Sequence, residues 1–457
     1  MLYNFLPNAL QYLLTSYVST EQTLSPPSRT LSFTLRHQYG LNNASRTVFA
    51  DTPVHLAPET FTLDTRTVKT HKPRSQRAFH SARFQGTPSD LSIWDEDEVA
   101  GPNIDDKDTL LMLAKMTSND YLTGPGDKGW YDLGPEWNNS YPFGWEPDAD
   151  GFRGHIFATP DNSTVVVSVK GTSAGWLVGG GGPTTKKDKL NDNILFSCCC
   201  ARVGPTWWTV CDCYQGNSKC DQGCLEKSLT EDSLFYPIGT VSIVDITIVL
   251  VLIDLKNLYN NVTYLYPDSD IWVIGHSLGG SLASLMGITF GVPVVAFEAP
   301  GEKLAASRLH LPLPPSLQHI THVYHTGDPI PQGACTGVSS VCAIGGFALE
   351  TKCHLGKVIR YDTVTKLGWS VSTNSHSIMV VIDSLLSKDY DWSDGAGEKR
   401  AVPMAIEEDD CVDCFSWEFG NFRNTSAVMG GTLFTNDNEF TTIIFYADIG
   451  NWTGMIG

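Results

Sequence analysis

Ile271-Trp272-Val273-Ile274-Gly275-His276-Ser277-Leu278-Gly279-Gly280 is the stretch whose reading decides the fold. Residues 271–274 are a short apolar run of the kind that forms a buried strand, and residues 281–290 read as a helix packed close behind it. Between them, Gly275-His276-Ser277-Leu278-Gly279 matches Gly-x-Ser-x-Gly. A turn that passes from strand to helix in so few residues strains the serine backbone and demands small residues two positions away on each side. It thrusts the hydroxyl up at the carboxyl edge of a sheet, with the helix amino terminus behind it.

Working outward, residues 163–169 (STVVVSV), 292–297 (VPVVAF) and 320–325 (ITHVYH) are further strand candidates. Residues 108–116 carry helical apolar spacing, with Asp105 or Asp106 as the cap. Strands alternating with helices imply an α/β protein of the α/β-hydrolase type, with a mostly parallel sheet covered on both faces and a cysteine-rich insertion. The expected organisation is a polar, irregular lead-in over 1–105, ending in the acidic run Trp94-Asp-Glu-Asp-Glu-Val99. A catalytic domain follows over 106–386, with the insertion at 179–233, and then an acidic, loop-like segment over 387–457.

A serine hydroxyl needs a base, and the base needs a carboxylate to orient it. In this fold the chain order is serine, acid, histidine. Asp328, in His325-Thr-Gly-Asp328 just past a strand, would leave the sheet at the same edge as Ser277; Asp362 and Asp383 are its rivals. The downstream histidines are His354 and His376. His354 follows Cys353 and heads the strand-like residues 357–361, which suits a structural role. His376 lies in the polar loop 372–377, ahead of the helix-like residues 378–386, which suits a base. The developing oxyanion needs donors already in place. One is expected from the Leu278 N–H, the other from Thr172 in Lys170-Gly171-Thr172-Ser173, through its N–H and its hydroxyl; a plain turn is the competing reading of that tetrapeptide.

The formal net charge of −19 excludes a nucleic-acid partner, which needs clustered Lys and Arg, and leaves membrane engagement to apolar contacts. No cofactor or metal is expected. Of 12 cysteines, Cys198, Cys199, Cys200, Cys211, Cys213, Cys220 and Cys224 crowd one stretch; Cys335, Cys342 and Cys353 form a second group and Cys411 with Cys414 a third. With no histidine among the first group, disulfides are favoured over zinc, and spacing does not reveal their pairing. Asn-x-Ser/Thr sequons at Asn43, Asn138, Asn162, Asn261, Asn424 and Asn451 agree with an oxidising, secretory compartment. Residues 1–18 are apolar but hold Asn4, Pro7 and Asn8 and no early Lys or Arg, so they read as a weak signal-anchor.

These residues resemble the class 3 lipase family and, more narrowly, the autophagy-related vacuolar lipases of fungi. The similarity runs through Phe33-Thr-Leu-Arg-His37, Trp94, Gly129-Trp-Tyr131, Val167-Ser-Val-Lys-Gly-Thr172 and the serine motif. It continues through Phe297-Glu-Ala-Pro-Gly301, His325-Thr-Gly-Asp328 and Cys411-Val-Asp-Cys414. The resemblance implies hydrolysis of phospholipid or triacylglycerol acyl esters at a lipid membrane or vesicle. It also implies lysis of autophagic and multivesicular bodies, and a Golgi-to-endosome-to-vacuole route as a type II membrane protein. It assigns Ser277, Asp328 and His376 as nucleophile, acid and base. Two other functions are carried beside it: a serine esterase or acyltransferase acting on soluble or polysaccharide-linked esters, and a non-catalytic lipid-binding relative.

Two segments carry expectations of their own. Residues 179–224, with four glycines at 179–182 and the pair Trp207-Trp208, read as a hinged lid or as a disulfide-stapled insertion. Residues 240–256 (TVSIVDITIVLVLIDLK) depart from the family pattern. They read as a retained intron or a packed insertion, because Asp245 and Asp254 leave a run far short of the ~20 apolar residues a span needs.

Overall fold

The computed structural model describes residues 29–41, 47–51, 61–85, 91–122, 153–172, 185–200, 210–232, 258–337, 339–393, 398–422, 429–434 and 440–445. The weak anchor at 1–18, the glycine run, Trp207-Trp208, the 240–256 segment and Asn43, Asn138, Asn424 and Asn451 lie outside these residues. Of the sequons that are described, Asn162 is exposed in a turn between two strands and Asn261 is half-buried in a helix.

One sheet organises the chain. In order along the sequence its strands are β1 (Arg29–Leu41), β2 (Thr47–Asp51), β3 (Phe61–Pro73), β4 (Trp94–Pro102), β5 (Gly154–Ala158) and β6 (Thr164–Val169). Two short strands, β7 (Tyr214–Gly216) and β8 (Lys219–Asp221), belong to a separate small sheet. Then come β9 (Asp270–His276), β10 (Val294–Phe297), β11 (Ile320–His325), β12 (Lys357–Tyr361) and β13 (Ile406–Glu407). The 11-stranded order is β13-β12-β11-β10-β9-β6-β5-β1-β3-β4, with β2 on β1. Its centre, β6-β9-β10-β11-β12, is parallel throughout. The flanks built by β5, β1, β3, β4 and β13 are antiparallel.

The central strands are apolar on both faces because both are covered. Side chains alternate across the pleat. Val165, Val167, Ile271, Val273 and Val294 join one core layer with the helix Leu278–Phe290. Val166, Trp272, Ile274, Val295, Phe297 and Val323 join the other with the helix Lys107–Asn119. That second helix is capped by Asp106, whose carboxylate accepts from the Thr109 N–H at 2.7 Å.

Three readings of the sequence are corrected. The lead-in expected to be irregular carries β1, β3 and β4. Its acidic run is the exposed first half of β4, where Glu96 and Asp97 pair with Lys69 and Lys72 of β3 and Asp95 pairs with Arg74 just past that strand. The acidic carboxy-terminal segment expected to be loop-like contributes to the sheet and is tied to the domain by disulfides. Residues 406–407 extend the main sheet, and Cys411 and Cys414 bond to Cys353 and Cys198. The lid reading does not hold for all of 179–224. The helix Thr185–Phe196 packs Ile194, Leu195 and Phe196 into the main core, and Cys199–Cys220, Cys200–Cys211 and Cys213–Cys224 staple a small cluster of their own. With Cys335–Cys342 every cysteine is paired. Further on, Met429–Phe434 and Phe440–Phe445 form a hairpin of strands that the sequence had left unplaced. Among the described residues no helix is long and apolar enough to cross a membrane.

Candidate active site

The parallel register brings the carboxyl ends of β9, β10 and β11 to one edge: His276 lies opposite Phe297, and Phe297 opposite Val323. Open α/β sheets use that edge for their sites, because the loops leaving it converge. Ser277 follows β9 at φ 56°, ψ −131°, a strained conformation for a residue with a side chain. The surrounding glycines are there because nothing else fits. A β-carbon at Gly279 would sit 2.2 Å from the Val169 carbonyl oxygen, and one at Gly275 would sit 2.4 Å from the Gly279 backbone. Both obstacles are main chain, so no side-chain adjustment relieves them.

His376 closes a short helical turn, Thr373–His376, and is fully buried. Its Nε2 lies 2.8 Å from Ser277 Oγ, and its Nδ1 lies 2.6 Å from Asp328 Oδ2. With the Nδ1 hydrogen donated to the carboxylate, Nε2 is left to accept the serine proton. Asp328 Oδ1 accepts the Ile330 N–H at 2.9 Å. Burial opposes ionisation of Asp328, but the His376 charge and the hydrogen bonds it receives outweigh burial and hold its carboxyl below the ordinary value. Ser375 Oγ and the Ser372 N–H both donate to the Gly327 carbonyl, at 2.7 and 2.9 Å, so the loop bearing Asp328 and the loop bearing His376 are fastened together.

The residue before the serine adds a further tie. His276 Nε2 lies 2.7 Å from the His376 carbonyl oxygen, and His276 Nδ1 lies 2.6 Å from the Tyr121 hydroxyl. A carbonyl only accepts, so Nε2 carries the hydrogen and Nδ1 accepts from Tyr121, which is the neutral imidazole. Burial, reinforced by the nearby His376, pushes His276 down to about 3 and keeps it neutral. Tyr121 thus steadies the elbow, and the elbow steadies His376.

Gly171 presses against the same elbow; a β-carbon there would lie 2.3 Å from the His276 carbonyl oxygen and 3.2 Å from Ser277 Cβ. Thr172 is therefore beside the serine. Its hydroxyl, however, donates to Asp192 at 2.6 Å, which leaves the N–H as the donor that Thr172 can offer. Burial pushes the Asp192 carboxyl up to about 8. Lys170 is buried too. Burial pulls its amine down to about 8, with Asp188 opposing, and Nζ donates to the Gly171 carbonyl at 2.7 Å. Leu278 opens its helix, so its N–H has no intrahelical acceptor.

The rival candidates lie elsewhere. Asp362 caps the short helix Thr363–Leu367, Asp383 is exposed, and His354 has its ring nitrogens on Glu408 and the Ala299 carbonyl at 3.1 and 3.0 Å. Tyr121, Asp192 and Glu298 were not singled out from the sequence, although Asp192 and Glu298 fall within segments that were.

Sheet topology and elbow together define an α/β hydrolase. The chain belongs to the class 3 lipase family. The model of that family, Lipase (class 3), matches residues 246–336, a span holding Ser277 and Asp328. A "Putative lipase ATG15" of Cryptococcus neoformans var. neoformans is 47% identical over 391 residues, covering 74% of this chain and 71% of that one. The Mycosarcoma maydis protein of the same name is 44% identical over 378 residues, 71% and 69% of the two chains. That of Saccharomyces cerevisiae is 46% identical over 335 residues, 72% and 59%.

Proposed function

We propose that the protein is a serine lipase that cleaves acyl esters of membrane phospholipid or triacylglycerol, with Ser277 as nucleophile, His376 as base and Asp328 as orienting acid. The observation that carries this reading is the continuous hydrogen-bonded line from Ser277 Oγ through the His376 ring to Asp328 Oδ2, every member of it buried. The serine hydroxyl attacks the ester carbonyl as its proton passes to His376 Nε2. The Leu278 and Thr172 N–H groups receive the charge that develops on the carbonyl oxygen. His376 then returns the proton to the departing alcohol, and water repeats the sequence on the acyl-enzyme. A non-catalytic lipid-binding relative has no need of this line.

Kinship with fungal proteins named as lipases supports lipid over soluble esters, and the implied setting is the vacuole, where the protein would break down autophagic and multivesicular bodies. Paired cysteines agree with that route. A side-by-side assay on phospholipid vesicles, emulsified triacylglycerol and a short soluble ester tests the substrate class. We expect kcat/KM to be highest on a lipid aggregate. Preference for the short ester would favour the soluble esterase instead.

A further inference from the structure

β10 runs between the strand that ends at the serine and the strand that leads to the aspartate. The residue after it, Glu298, is fully buried and stands at φ 45°, a backbone conformation that favours glycine. Strain of this kind persists where the surroundings hold a residue in place for a reason other than packing. Among the described residues no Lys or Arg pairs with the carboxyl. The nearest basic side chain is His325, with Nε2 3.7 Å from Oε1, and that nitrogen is directed to the Ser375 carbonyl at 3.0 Å. The two Glu298 oxygens share the His325 N–H, at 3.2 and 3.4 Å, and the Glu298 N–H is bound to the Val323 carbonyl.

The remaining neighbour of that carboxyl is decisive: Asp328 donates its N–H to the carbonyl of His325 at 3.1 Å, the same residue whose N–H Glu298 holds, and the two carboxyl side chains meet as hydrogen-bond partners. Two carboxyl groups in contact inside a dry site cannot both be anions, and a hydrogen bond between them requires one proton. Asp328 is already held as the anion by His376 Nδ1 and the Ile330 N–H. The proton therefore resides on Glu298. Burial and the Asp328 charge act in the same direction, raising Glu298 well above the usual carboxylate range.

We propose that Glu298 is a positioning residue for hydrolysis: a neutral carboxylic acid that donates a hydrogen bond to Asp328 and keeps that carboxylate seated on His376. It touches neither Ser277 nor substrate, and acts only through the acid. The inference rests on the assignment of Ser277, His376 and Asp328 made above.

Glu298→Gln and Glu298→Ala in the full-length protein test it, with kcat and KM on a short soluble ester followed across the pH range and thermal melting measured alongside. Gln is neutral and can donate from the same position, so its kcat and pH profile should superimpose on those of the parent. Ala leaves Asp328 without that donor and should lower kcat on the order of 10²-fold with KM little changed, the loss expected when a reacting group is slightly misplaced. An Ala variant that keeps the parental kcat overturns the inference. So does a folded Gln variant as slow as Ala, or one whose pH profile is displaced. If Ala fails to fold, the Gln profile decides alone. Full activity of Ser277→Ala would remove the underlying site assignment, whereas an inactive Ser277→Ala beside a fully active Glu298→Ala would remove only the role of Glu298.

Discussion

Replacing Ser277 with Ala should abolish ester hydrolysis while leaving the protein folded. The residue stands at the sheet edge, and its hydroxyl is bonded to His376, so truncation removes one oxygen and no apolar packing. Both glycines that shape the elbow remain. A nucleophile that acts as a unit with its base costs on the order of 10⁶-fold in rate when removed. The check is kcat/KM on a short ester with the melting temperature measured in parallel. Parental activity in a folded Ser277→Ala protein would dismantle the proposed mechanism.

The second large effect separates the two downstream histidines. His376→Ala should be inactive to a comparable degree, since the serine then has no group to take its proton. His354→Ala should keep kcat, because both of its ring nitrogens are engaged away from Ser277. Its cost falls on stability, at about 1–3 kcal/mol for buried partners left unpaired. Burial opposes charging of His354, but the hydrogen bond and charge of Glu408 and the charge of Glu302 outweigh it and raise the imidazole above its ordinary 6.5. A raised folded-state value means the charged form stabilises the fold. That contribution is complete below about pH 6.5 and fades as pH climbs through the folded value. The stability deficit of His354→Ala should therefore be largest under acid conditions, read from denaturant unfolding at several pH values. Catalytic loss in His354→Ala with retention in His376→Ala would reverse the assignment.

Much of the site was legible because its signals are local. A strand, a five-residue turn and a helix occur in immediate succession around Ser277, and the expected strands 320–325 and 357–361 coincide with β11 and β12. Asp328 and His376 could be chosen because each follows or precedes a recognisable element. The antiparallel flank was hidden for a physical reason. Along β3 the inward positions include Thr65 and Thr70 as well as Leu63 and Val68, and the outward ones are charged or, at Thr67, polar, so the strand lacks an apolar stripe. β4 read as the acidic end of an irregular lead-in because its partners, Lys69, Lys72 and Arg74, lie 27, 25 and 21 positions from the carboxylates they meet.

The supporting residues escaped for the same reason. Tyr121 meets His276 across 155 positions of sequence, and Asp192 meets Thr172 from within a segment read as a lid. Neither pairing has a spacing rule. Glu298 was quoted as part of a motif, but nothing in Phe297-Glu-Ala-Pro-Gly301 says that its carboxyl turns toward an aspartate thirty residues on. Disulfide pairing behaves likewise: Cys198 and Cys414 are separated by 216 positions.

The central claim is that Ser277 is the nucleophile, and covalent capture tests it most directly. The full-length protein would be incubated with a long-chain alkyl phosphonate ester that phosphonylates activated serines, then digested and mapped by mass spectrometry. One adduct per chain, on Ser277, with parallel loss of hydrolysis and no adduct in Ser277→Ala, is the predicted result. Inhibition accompanied by an adduct on a different residue, or an unmodified Ser277 in a fully inhibited protein, would contradict it.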